Sequence, residues 1–272
     1  MGRLAGVKLA DGFLYLWTFA GTLLFLLQVM AGESRWRSLA LIAVTVVLFS
    51  GMDVLGNPSS LLDITSHKEW WAGLYQYSSD STLLFWVPNH ALPGWLSIAL
   101  IYRCRDDPRF LAIAAWLGTL TLLWAPLVSI GLLPFFAALA WRSFGRGSWP
   151  SLFSVCNLVA GPLVVAGTVV YVTIAAATIN GPNYGGEIPL LPQVVIYFAF
   201  LLVEFAVLCY LLVRNFNDGI DPLFFGAAVA VLIVLPLFKY GPNNDLVMRS
   251  SIPALAAVMF AVVDGWARPV RR

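Results

Sequence analysis

Phe13-Leu14-Tyr15-Leu16-Trp17-Thr18-Phe19-Ala20-Gly21-Thr22-Leu23-Leu24-Phe25-Leu26-Leu27-Gln28-Val29-Met30-Ala31 runs without a charged side chain, and its reading decides the fold. A helix crosses the hydrocarbon core of a bilayer in about 20 residues. Hydrocarbon offers no partner to an open N–H or C=O, so a spanning segment of this kind must be helical. A β-barrel would instead need alternating segments of about ten residues. This run does not alternate.

Eight further apolar runs follow, at roughly 38–52, 82–102, 110–124, 127–141, 159–178, 190–213, 222–238 and 246–263, which makes nine. The whole chain is in keeping with them. Of its 272 residues 60% are hydrophobic and 11% charged, with mean hydropathy +0.83. A water-soluble domain is nearer half apolar and a quarter charged. The sequence therefore predicts an all-α, polytopic transmembrane helical bundle of about nine spans, one integral membrane domain over residues 1–272. The short segments 110–124 and 127–141 meet at Trp124-Ala125-Pro126 and predict a tight hairpin or a re-entrant pair. Residues 150–158 read as a short interfacial helix. The stretch 53–81 is the longest polar connection, read as an outer loop with short interfacial helices. A connection of that length is commonly functional.

Lys and Arg are enriched in cytoplasmic loops. With the C-terminus inside, the inner side holds 11 of the 16 Lys and Arg residues, Arg103, Arg105, Arg109, Arg142 and Arg146 among them, and the outer side 5. Arg3 and Lys8 oppose this orientation. Three readings of the conflict stay open: a longer natural protein with earlier spans, a miscounted span, or a cleaved leader, for which Val29-Met30-Ala31-Gly32 is a poor cleavage site. No basic run suits nucleic acid. Cys104, Cys156 and Cys209 are isolated, match no metal-site spacing, and read as small core residues.

With that orientation the unusual polar stretches fall on the outer side. Asp53, between Met52 and Val54, is a carboxylate at a span end, suited to acid–base chemistry, to a cation, or to a plain turn. The outer loop carries His67, Glu69, Trp70, Trp71, Tyr75 and Asp80. If 66–77 is helical, Trp70, Trp71 and Tyr75 share a broad face, either a headgroup anchor or a platform for a sugar or lipid tail. His67 and Glu69 alone do not make a metal site. Ser78-Ser79-Asp80 resembles a helix N-cap. His90 follows Pro88 in a span. It is a functional candidate as an intramembrane ionisable group, or a neutral side chain bonded to a carbonyl that proline frees. Glu204 is an acid within a span, for which a structural role is favoured. Asp245 and Arg249 sit at i, i+4 and can pair on one helix face; Arg249, with Lys239 nearby, also suits a phosphate.

Gly51-Met52-Asp53, Glu69-Trp70-Trp71, Tyr77-Ser78-Ser79, Leu84-Phe85-Trp86-Val87-Pro88-Asn89-His90, Trp124-Ala125-Pro126 with Gly131-Leu132-Leu133-Pro134-Phe135, and Asn243-Asn244-Asp245 with Met248-Arg249 together resemble bacterial membrane proteins of the GT-C glycosyltransferase type. The resemblance covers most of the chain and is closest to uncharacterised members. It implies transfer of a sugar from a polyprenyl-phosphate donor to a glycan or lipid acceptor, in the bacterial inner (cytoplasmic) membrane, with the motif loops on the extracytoplasmic side. In a transferase the candidate catalytic groups are Asp53, Asp80 and Glu69. Substrate contacts would come from His67, Trp70, Trp71, Tyr75, Trp86, Asn89, His90, Lys239, Asn243, Asn244, Asp245 and Arg249. No cofactor is required by the pattern, and a divalent cation is left open. The family's catalytic acid usually lies in a large outer loop near the first span, and no such loop precedes residue 13. The resemblance is therefore to a C-terminal portion. A transporter or flippase and a non-catalytic membrane subunit are the competing readings.

Overall fold

The computed structural model describes residues 6–33, 35–49, 69, 71–73, 75–176, 190–206, 220–240 and 244–266. Over these residues the regular structure is helical throughout. The helices are α1 (Val7–Met30), α2 (Trp36–Leu48), α3 (Asp80–Trp86), α4 (Pro88–Cys104), α5 (Pro108–Trp124), α6 (Pro126–Gly145), α7 (Gly161–Ala176), α8 (Leu190–Leu201), α9 (Pro222–Val234), α10 (Asp245–Ser250) and α11 (Ile252–Trp266). Three stretches are long and apolar enough to cross a membrane: Val7–Met30, Pro126–Gly145, and the α10–α11 run Asp245–Asp264. Every apolar run of the sequence has a helix within it, but the remaining helices are shorter.

Local chemistry explains the breaks. The run 82–102 is two helices rather than one. A proline disfavours the α conformation in the residue before it, and Val87, just ahead of Pro88, leaves it with φ −141° and ψ 49°. The same rule divides α5 from α6, where Ala125 stands alone before Pro126 with φ −146° and ψ 80°. A one-residue joint between packed helices makes a tight hairpin, the first of the two forms expected, and α6 runs on for 20 residues to Gly145. The expected interfacial helix at 150–158 is a 3-10 turn, Trp149–Phe153, followed by a π-helical turn, Cys156–Ala160.

The run α10–α11 forms the centre, 72% buried over its apolar window, against 17% for α1. Around it pack α4, α6 and α9, while α1 lies outside against α4. An aromatic seam ties these elements. Phe25 of α1 stacks on Trp95 of α4 at 4.9 Å and meets Phe260 of α11 edge-on at 6.0 Å. Tyr102 of α4 then stacks on Phe260 at 5.1 Å and touches Phe224 of α9 at 5.9 Å. Such ring pairs contribute about 0.5–1.5 kcal/mol each beyond their buried area. The exterior is strongly apolar: Leu16, Phe19, Leu133, Leu163, Phe198 and Leu202 are all exposed.

Asn157, buried at the head of the π turn, is stitched into α5. Its Nδ2 donates to the Leu111 carbonyl (2.8 Å), and its Oδ1 accepts from the Ala115 N–H (3.1 Å) and the Trp116 N–H (3.2 Å). Leu111 and Ala115 are the i, i+4 pair whose groups close one helical turn.

The bundle has two chemically different ends. At one, Arg103 donates to the carbonyls of Gln28 and Ala31, closing the C-terminus of α1. There too Arg142 bridges Asp106 and Asp221, both at 2.7 Å, and Arg146 pairs with Asp106. Arg105 Nε stands 3.2 Å from Asp221 Oδ2, an ion pair without hydrogen-bond geometry. Asp221 also caps α9 by accepting from Leu223 N. The opposite end carries the candidate site residues.

Candidate functional site

Three chain stretches reach that second end. The first is 69–80. Glu69 is buried, and its Oε1 accepts from the backbone N–H and the hydroxyl of Ser79, both at 3.0 Å. Its Oε2 accepts from Gln76 Nε2 at 3.2 Å. Ser79 is the N-cap of α3, accepting from Thr82 N at 3.2 Å, as the sequence expected of Ser78-Ser79-Asp80. Glu69 therefore braces the residue that starts the helix. Asp80 follows, 3% exposed, with its N–H donating to the Phe49 carbonyl at 3.2 Å. Its Oδ2 has no hydrogen-bond partner. Burial holds this carboxyl, which lies ahead of the apolar run 82–102, well above the usual carboxylate range.

The aromatic residues of this stretch turn inward. The described part of 66–77 is not a continuous helix: residues 71–73 form a turn with Gly73 at φ +64°, and 75–79 are irregular. The condition for a shared Trp70–Trp71–Tyr75 face is thus not met at the described positions; Trp70 lies outside them, as do Asp53, His67 and Asn243. Trp71, Tyr75 and Tyr77 instead close around Phe200 of α8, with ring centroids 6.5, 5.7 and 4.7 Å away. Tyr77 donates to the Leu232 carbonyl. Trp71 Nε1 donates to Glu204 Oε1 at 3.2 Å. Glu204 is buried on the π-helical turn Leu202–Ala206 that continues α8, consistent with a structural role.

The second and third stretches meet at His90. Asp245 and Arg249 form the expected i, i+4 ion pair, 2.9 Å apart and each roughly a quarter to a third exposed. Both lie within electrostatic reach of His90 on the first turn of α4. His90 is half-buried, and its Nδ1 has no hydrogen-bond partner. The turn before α10 is set by Asn244, which is buried in the left-handed region at φ 53° and accepts from Tyr240 N at 3.3 Å. Asparagine tolerates that region better than most residues. Trp86, Asn89 and Lys239 are exposed.

Apart from Trp71 and Tyr75 around Phe200 and the exposed Trp86, Asn89 and Lys239, the described candidates centre on two groups. Glu69 and Asp80 sit at the start of α3 beside the end of α2, and His90, Asp245 and Arg249 sit where α10 meets α4. Two cavities adjoin these groups. An almost wholly apolar groove of about 500 Å³ runs between α6 and α9, lined by Ile130, Pro134, Val231, Phe238 and Leu246. A second, also about 500 Å³, lies between α1 and the α3–α4 break, lined by Asp11, Tyr15, Thr18, Thr22, Leu84, Phe85 and Pro88. Neither is lined by Glu69, Asp80, His90 or Arg249. Sequence reasoning passed over the polar residues of α1, although their spacing of 4, 3 and 4 marks one helix face. Among the described residues no three His, Cys, Asp or Glu side chains come together to hold a metal ion.

Comparison of the chain with protein-family models, with curated proteins and with solved structures finds no match.

Proposed function

We propose that this chain is a polytopic integral membrane protein of about nine apolar segments and a glycosyltransferase of the GT-C type. In this reading it transfers a sugar from a polyprenyl-phosphate donor to a glycan or lipid acceptor on the outer face of a bacterial inner membrane. The apolar exterior and the three span-length helices support the membrane reading. The observation that carries the chemistry is the place of Arg249. It stands three residues from Leu246, which lines the apolar groove between α6 and α9. An almost wholly apolar groove suits a polyprenyl chain, and a guanidinium one helical turn from its lining residue Leu246 suits the phosphate at the head of that chain. In the reaction the acceptor hydroxyl attacks the anomeric carbon, the bond from that carbon to phosphate oxygen breaks, and the hydroxyl proton passes to a carboxylate. Asp53 and Asp80 are the candidates for that base. Arg249, Lys239 and His90 are the candidates to hold the leaving phosphate.

Transfer of radiolabelled sugar from polyprenyl-phosphate donors tests the reading, in membranes carrying the chain, Asp53→Asn or Arg249→Gln. Turnover that either substitution abolishes supports it. An absence of turnover across several donors, with folded protein present, sinks it.

One observation favours a second reading, transport. Glu204 is a buried acid on a π-helical turn, a distortion often found at functional sites. Solute movement lost in Glu204→Gln, without sugar transfer in the parent chain, decides for it.

A further inference from the structure

α1 carries a polar stripe that core packing does not explain. Asp11, Tyr15, Thr18 and Thr22 recur at i, i+4, i+7 and i+11 and so lie along one face. Apart from Lys8 and Gln28 near its ends the helix is otherwise apolar, and it is the least buried of the three span-length stretches. All four residues line the cavity against Leu84 and Phe85. Thr22 satisfies its own hydroxyl on the Thr18 carbonyl at 2.8 Å. Asp11 and Tyr15 are exposed, Tyr15 at 82%. Asp11 lies just ahead of the apolar run 13–31 and Tyr15 near its start, so the polar upper part of this face sits at the water–lipid boundary, where the headgroup of an amphiphile can reach it.

The cavity indicates which kind. At about 500 Å³ it has the size of a small-molecule site, roughly 300–1,000 Å³. Its polar groups are a carboxylate and hydroxyls, the groups that bond the hydroxyls of a sugar. The rings of Tyr15 and Phe85, 82% and 87% exposed, offer flat faces for a sugar ring. Leu14, Phe19 and Leu84 of the same lining suit hydrocarbon. Polar and apolar linings thus meet in one groove, which matches an amphiphile with a hydroxyl-rich head. The groove reaches Pro88, two residues before His90, so it opens at the end of the bundle that holds the Asp245–Arg249 pair.

We infer that the groove between α1 and the α3–α4 break binds the glycosyl headgroup of a lipid, with Asp11 accepting from its hydroxyls and Tyr15 packing on its ring. As the seat of a sugar acceptor the groove rests on the transferase reading above; as a glycolipid-binding site it does not.

The test is lipid retention by the full chain in phosphatidylglycerol nanodiscs holding either glucosyl-diacylglycerol or diacylglycerol, read by native mass spectrometry. The unaltered chain retains the glucosyl lipid preferentially. Asp11→Ala lowers that preference about three- to tenfold, the range for losing one hydrogen bond of ordinary net strength at an exposed site. Tyr15→Leu lowers it in the same direction. Leu27→Ala, on the exposed side of the same helix and outside the groove lining, leaves it unchanged. Equal retention of the two lipids, or an unaltered preference in Asp11→Ala, overturns the inference. So does oxidative cross-linking of Tyr15→Cys chains into dimers that the parent does not form, since the stripe would then face a second copy. Selective retention without sugar transfer would sink the transferase reading alone; transfer without selective retention would sink the groove alone.

Discussion

Gly131 and Ser250 touch backbone to backbone: a Cβ built on Gly131 would stand 1.9 Å from the Ser250 carbonyl oxygen. The Ser250 hydroxyl also donates to the Leu127 carbonyl. The first turns of α6 therefore hold α10, and with it Asp245 and Arg249, at a distance that only glycine permits.

Gly131→Ala is expected to push α10 away and to destabilise the protein by about 1–3 kcal/mol or more, the usual cost of overpacking. Thermal unfolding in detergent measures this. An unchanged midpoint would contradict the close approach. Sugar transfer or phosphate affinity, if present, should fall with it, because Arg249 moves with its helix.

Glu69 braces the N-cap residue Ser79. Glu69→Ala removes the acceptor for Ser79 and Gln76 and should cost about 1–3 kcal/mol of stability. Ser79→Ala should cost about 1 kcal/mol, as capping serines do. The double substitution should cost less than the sum, because both act on one contact. Strict additivity in unfolding measurements would show that the two do not share it.

Asp106 gives the acid response a defined sign. Hydrogen bonds from Arg142, outweighing a modest desolvation effect, and then from Arg146 lower its pKa to about 2. An unfolded aspartate titrates near 3.9, so the unfolded chain binds more protons between those values. The contribution of Asp106 is whole above about pH 4 and is lost as pH falls toward 2. Its side chain is 45% exposed, so solvent screens the effect and it is small. Asp106→Asn should flatten that part of the stability–pH curve; an unchanged slope would refute the assignment.

Asn157→Ala removes the carboxamide that meets Leu111, Ala115 and Trp116 of α5 and also Leu152. It should cost about 2–3 kcal/mol, from lost bonds and the cavity left behind. Hydrogen exchange should rise first at Ala115 and Trp116. Protection confined to its original values there would show that α5 closes its own turn without Asn157.

Near-neighbour relations were legible in the sequence. The Asp245–Arg249 pair follows from helical spacing and the hairpin from Ala125-Pro126, whereas the break at Val87 falls inside what the sequence reads as one span, 82–102. The pair and the hairpin depend on residues a few positions apart. The partners that decide the site are distant in the chain. Trp71 and Glu204 are separated by 133 positions, and no periodicity in either segment announces the other. The aromatic residues of 71–77 were legible as a cluster but not in direction, because a ring suits a headgroup or the side of Phe200 equally well. The α1 stripe was legible in its spacing, yet the hydropathy of their neighbours submerged Tyr15, Thr18 and Thr22 in an apolar run, with Asp11 just ahead of it.

The shared carboxylate of Asp221 bears on the order in which the molecule can be completed. A chain delivered from its N-terminus presents Arg105 and Arg142 long before residue 221 emerges. Until then Arg142 and Arg146 on Asp106 join the α4–α5 turn to α6 by charge at that end. When α9 arrives, its capping aspartate pairs with Arg105 and adds a second partner to Arg142. The late portion of the polypeptide thereby locks the early one, and a nascent chain halted before residue 221 would lack that lock.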